Sequence, residues 1–119
     1  MKKVLLALAL QLQAAAAPPD DTGCDLLLTT NGSMITIEAV VHTSQWPAGS
    51  YTLLLEAHQS GSRSVSRQGG AINAAAQGAD GTLVLASSTV YIVEGGRLIA
   101  RLDLLDGAQR ASCMIEHAP

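Results

Sequence analysis

The sequence predicts an all-β domain, a seven-stranded immunoglobulin-like β-sandwich. Two observations carry this expectation. Short runs rich in Leu, Ile, Val and Thr alternate with polar residues at period two. Turn signals containing Gly, Asn and Asp recur about every ten residues, and no heptad or internal repeat accompanies them. Two cysteines, Cys24 and Cys113, stand at opposite ends of the alternating region. The Cys…Trp…Cys placement of antibody domains is missing, so the architecture is expected without that signature.

The chain opens with a segment that is not part of the sandwich. Lys2 and Lys3 precede an apolar run, and Ala14 to Ala17 supply small residues ahead of Pro18-Pro19. This is the layout of a secretory signal peptide over residues 1–17, with the cut within 14–17. The run is too short for a membrane anchor, which needs roughly 20 apolar residues. Residues 18–23 then read as a short linker and 24–116 as the domain.

Residues 24–30 form the first β-type run, ended by Asn31-Gly32, a hairpin signal. Across 33–43, Ile35, Ile37, Ala39 and Val41 share one face, as in a half-buried strand. A loop through Gln45, Trp46 and Pro47 follows. Across 50–58, Tyr51, Leu53, Leu55 and Ala57 share a face. With no Phe, one Trp and two Tyr, the core is expected to consist of Leu, Ile, Val and Ala.

Residues 60–70 are polar on both faces. Ser62, Ser64 and Ser66 alternate with Arg63, Val65 and Arg67, which suits an edge strand blunted by charge, and Gly69-Gly70 is expected to stop it with a turn or bulge. Residues 71–77 allow either a helical turn or an irregular strand, and 78–81 read as a turn. A strand follows over 82–93, led by Leu83 and Leu85. Glu94-Gly95-Gly96 reads as a hairpin turn into 97–105, where Leu98, Ala100, Leu102 and Leu104 share a face. Asp106-Gly107 is another hairpin signal, and 108–115 is the last strand.

Charge and chemistry narrow the function. The chain holds seven basic and ten acidic residues, net −3. Without Lys2 and Lys3 the mature part keeps five arginines against ten acids, net −5. An acidic chain with no basic tract is a poor partner for nucleic acid. An even cysteine pair in an exported chain reads as a disulfide, which requires the first and last strands to lie side by side.

His42, His58 and His117 fall in no ligand motif, even with Met34 or Met114 as a copper ligand, so no metal or other cofactor is expected. No serine sits in Gly-X-Ser-X-Gly. Glu38 and Glu56 are expected on facing polar surfaces of adjacent strands and could approach each other, but nothing in the sequence gives such a pair the cleft that acid–base work needs. The chain is therefore not expected to be an enzyme. Two arginine pairs remain, Arg63 with Arg67 and Arg97 with Arg101, each sharing a strand face. They either build a local positive patch or pair with Glu38, Glu56 or Asp103.

The order of features resembles the CsgC/CsgH-like family of curli-type amyloid assembly chaperones, on its CsgH side. The resemblance runs through Cys24, Glu38-Ala39, Gly49-Ser50-Tyr51-Thr52-Leu53, Gln68-Gly69-Gly70, Ala100-Arg101-Leu102, Asp106-Gly107 and Cys113. The Cys-X-Cys pair of the CsgC branch is absent, which speaks against a redox role. The resemblance implies a periplasmic domain that suppresses premature amyloid formation by curlin-type subunits during curli biogenesis. Those subunits would be transient partners, with the outer-membrane curli export machinery as a further candidate.

Amyloid grows by backbone pairing at strand edges, so a polar edge and arginine pairs suit a weak, reversible encounter. Arg63, Arg67, Gln68, Arg97 and Arg101 are the candidate client-binding residues. The alternatives are a structural or adhesive sandwich domain of a surface appendage and, more remotely, a periplasmic metal or redox protein.

Overall fold

The structure is a computed structural model and describes residues 22–73, 75 and 81–119. The expected signal peptide, most of the linker, residues 74, 76 and 77 of the segment expected as a helical turn or irregular strand, and the expected turn at 78–81 apart from Gly81 lie outside these residues. Seven strands form: β1 (Cys24–Asn31), β2 (Met34–His42), β3 (Ala48–Gln59), β4 (Ser62–Asn73), β5 (Thr82–Tyr91), β6 (Arg97–Asp106) and β7 (Gln109–His117). They make two antiparallel sheets, one of three strands ordered β1-β2-β5 and one of four ordered β4-β3-β6-β7. The all-β sandwich is as the alternation predicts. In the constant-type immunoglobulin arrangement the fourth strand joins the first, second and fifth; here β4 pairs with β3 instead.

Three tight hairpins set the register. Gly32 and Gly107 have positive φ, 64° and 62°, at the first of two loop residues, which is the type II′ geometry that only glycine adopts freely. Ser60 and Gly61 both have positive φ, 53° and 78°, the type I′ geometry between β3 and β4. The other connections cross between sheets. Glu94-Gly95-Gly96 is thus not a hairpin turn, because β5 and β6 belong to different sheets. Buried Ile92 anchors that crossing, and the Gln59 amide brackets it, donating to Tyr91 O at 2.9 Å and accepting from Val93 N at 3.0 Å.

The inward rows of both sheets meet in one core. Ile35, Ile37, Ala39 and Val41 face Leu53, Leu55, Leu98, Ala100, Leu102 and Leu104, all buried. The expectation of a wholly aliphatic core fails at Trp46, which is 1 % exposed and the largest fully buried side chain. Its indole Nε1 donates to Thr22 O at 2.7 Å, so the ring can be buried with its polar atom satisfied. The loop that carries the chain from one sheet to the other is therefore plugged into the core.

Gly69-Gly70 does not stop β4. Pairing with β3 runs unbroken from Gln59↔Ser62 to Ala48↔Asn73, so residues 71–73 are strand and not helix. The glycines answer a close approach. A Cβ on Gly69 would lie 2.8 Å from Tyr51 O, and one on Gly70 would lie 3.2 Å from the Tyr51 ring. Tyr51 lies across that row, and its hydroxyl donates to Leu85 O of the opposite sheet at 3.0 Å. On the other flank, Cys24 of β1 and Cys113 of β7 are disulfide-bonded, with Cα atoms 6.3 Å apart. The first and last strands do lie side by side, but across the gap between the sheets.

Candidate functional site

Because strand side chains alternate, the register fixes the outer face of the four-stranded sheet. With Leu53, Leu55, Leu98 and Leu102 inward, the odd-numbered residues of β4 and β6 and the even-numbered residues of β3 and β7 point outward. Arg63 and Arg97 both flank His58, and Arg67 and Arg101 both flank Leu54. Arg110 stands opposite Leu105 on β7. The five arginines of the sequence thus share one face. Two strand spacings separate the members of each row by roughly 10 Å, and the rows are about 13 Å apart.

The two candidate arginine pairs are therefore one constellation. Gln68 is not part of it, since it sits opposite Leu53 with the inward parity of β4. Val65, Leu54, Ile99 and Met114 run between the arginines, with Val65 and Met114 exposed.

Three of the guanidiniums have carboxylate neighbours. Arg63 donates from Nε to Glu56 Oε2 at 2.7 Å, and its Nη2 reaches the same oxygen. Arg101 Nε lies 3.0 Å from Asp103 Oδ1, and Arg97 Nη1 lies 3.3 Å from Glu116 Oε2. The Arg63 hydrogen bond, with the His58 imidazole close by, holds the Glu56 carboxyl below its ordinary value. Partial burial raises that of Asp103, but hydrogen bonds from Ser112 and Arg101 and the charges of Arg101 and Arg67 reverse this and leave it lowered. Arg67 and Arg110 have no ion pair among the described residues. Five positive charges against Glu56, Asp103 and Glu116 leave the face net positive by two. The patch and the pairing expected from the sequence thus coexist, except that Glu38 takes no part and Glu116 does.

Glu38 and Glu56 cannot meet. Glu38 projects from the outer face of the other sheet, because the chain changes sheets between β2 and β3. The histidines are scattered. His42 ends β2 and His117 ends β7, while His58 Nε2 lies 3.2 Å from Glu56 Oε1 without the alignment of a hydrogen bond. Among the described residues, no three His, Cys, Asp or Glu side chains gather in a way that could hold a metal ion. The arginine face is shallow, with a depression of about 370 Å³ bordered by Thr52, Arg101, Asp103, Leu105, Arg110 and Ser112. Such a surface can hold an extended anionic chain loosely and offers no enclosure for a small substrate.

A family model described as CsgH protein matches residues 23–116. The chain belongs to the CsgH family. Two solved structures are similar. The solution structure of R. palustris CsgH shares 24 % identity and a TM-score of 0.62, over 77 % of this chain and 88 % of that one. The E. coli curli protein CsgC shares 17 % identity and a TM-score of 0.60, over 81 % and 97 %. At these identities the likeness speaks for the fold. No curated protein matches the sequence. The CsgH match spans the sandwich with both of its cysteines and all five arginines.

Proposed function

We propose that this chain is a periplasmic chaperone that restrains premature amyloid polymerisation of curlin-type subunits, engaging them through the arginine face. Membership of the CsgH family supports a curli-related role as an accessory protein and not an enzyme. The observation that carries the mechanism is the collection of all five arginines on one outer face. Acidic and amide-rich subunits are drawn to that face even though the whole chain is acidic. The disulfide fits an oxidising, extracytoplasmic compartment. Residues 1–17 would direct export and be removed, leaving the short linker 18–23 and the sandwich as the working protein.

Each exposed ionic contact contributes under about 1 kcal/mol, so the encounter is weak and transient, as a chaperone that must release its client requires. The test is the lag time of curlin fibrillation, followed by thioflavin-T fluorescence with substoichiometric protein. Wild type lengthens the lag, the Arg63→Ala/Arg67→Ala variant does so less, and the effect fades above about 0.5 M salt, where screening reaches a few ångströms. An unchanged lag with wild type would leave a structural or adhesive role in an appendage as the better account.

A further inference from the structure

Four strands end the two sheets, and three of these edges are encumbered. β1 and β7 are held against each other by Cys24–Cys113. β5 shifts register opposite Ala39 and Val40, and its Leu85 and Tyr91 carbonyls already accept hydrogen bonds from Tyr51 and Gln59. β4 carries neither device. It is twelve residues long, pairs with β3 without a bulge, and is exposed on both faces from Ser62 to Ala71.

The hairpin decides which backbone groups of β4 are free. Its type I′ turn closes on Gln59↔Ser62, a pair whose backbone groups bond each other. Hydrogen-bonded and non-hydrogen-bonded pairs alternate from there. Ser62, Ser64, Ser66 and Gln68 therefore direct their N–H and C=O to β3. Arg63, Val65, Arg67 and Gly69 turn theirs to the open edge. These are the residues on the outer face, so peptide groups and guanidiniums address the same neighbour. A second copy is a poor occupant. Antiparallel self-pairing about Val65 sets Arg63 opposite Arg67 twice, and like charges directly opposite destabilise a sheet.

We infer that the β4 edge accepts an extended acidic segment as a fifth strand of the four-stranded sheet. Its acidic side chains stand four positions apart, opposite Arg63 and Arg67. A β-branched side chain lies between them opposite Val65, and hydroxyl or amide side chains fill the alternate positions beside Ser64 and Ser66. The pattern reads the same in both directions, so parallel and antiparallel docking both satisfy it. Arg63 already shares its charge with Glu56, so the acid opposite Arg67 matters more. This inference rests on the arginine face being the client surface and gives the client a sequence pattern.

The test uses two synthetic peptides of the same Glu, Ser and Val composition. One has glutamates four apart around a valine; the other has them three apart, on opposite strand faces. Titration by NMR should show the first binding roughly fivefold more tightly, the worth of two cross-strand pairs. Amide exchange should slow at Arg63, Val65 and Arg67. Val65→Pro removes one outward N–H, keeps both arginines and leaves the β3 ladder whole, as proline on an edge allows; it should weaken binding by a similar factor. If that variant fails to fold, amide protection in the wild type still decides. Equal binding of the two peptides, absence of protection, or protection that rises with protein concentration alone overturns the edge pairing. Fibrillation that still slows in an arginine-dependent way would then leave the chaperone reading standing, whereas unslowed fibrillation overturns that reading whatever the peptides do.

Discussion

The two outer faces of this sandwich are built by the same alternation and differ in chemistry. The four-stranded sheet shows Arg63, Arg67, Arg97, Arg101 and Arg110 among three acids. The three-stranded sheet shows Asp25 and Glu38, no basic residue but His42, and exposed Leu27, Met34, Val84 and Tyr91. A neutral contact crosses its strands, a hydrogen bond of 2.9 Å between the Thr36 and Thr89 hydroxyls. The difference shows how a protein of net negative charge can present a positive surface. The charges are sorted by sheet, and the core between the sheets keeps them apart.

The largest expected effect comes from releasing the sheets that hold those faces apart. The disulfide closes a span of 89 residues, and in the chain-entropy model Cys24→Ser costs about 4 kcal/mol. Chemical denaturation should show a lower midpoint, while the folded variant still delays fibrillation. Next comes charge reversal. Arg67→Glu/Arg101→Glu should abolish most of the delay, a loss of about 1–2 kcal/mol of client affinity, whereas Glu38→Arg on the opposite face should change the lag little. Equal effects from the two faces would dissolve the contrast between them.

Tyr51→Phe should be milder. It removes the hydroxyl bond to Leu85 O and costs about 1 kcal/mol of stability, read as a drop in Tm with unchanged client activity. The smallest effect is on pH. Glu56 and Asp103 titrate below their ordinary values of 4.5 and 3.8. A carboxyl lowered on folding adds stability that is full above its unfolded value and lost as pH falls through the lowered one. Tm should therefore decline slightly as pH drops below about 4.5, and Glu56→Gln should flatten part of that decline.

Much of this was legible in the residues. Period-two runs located every strand, and the hydroxyl–guanidinium alternation of Ser62 to Arg67 marked an edge before any partner was known. Cysteine placement found the disulfide. What failed to show depends on which strands are neighbours. Gly69-Gly70 looks like a stop until Tyr51 is seen lying across it. Trp46 looks like a loop residue until the loop crosses between sheets, and the same crossing parts Glu38 from Glu56. Each arginine pair was visible, but their union required β3 to stand between β4 and β6. No local pattern encodes that placement.

The positive face is made without a single amine. No lysine occurs after Lys3, and a guanidinium, unlike an amine, is a permanent cation in proteins. Acetylation, which erases charge at lysine, finds no side-chain target anywhere in the sandwich. The guanidiniums are thus the fixed charges of that face, and the carboxyls of Glu56 and Asp103 beside them are the part that changes with pH.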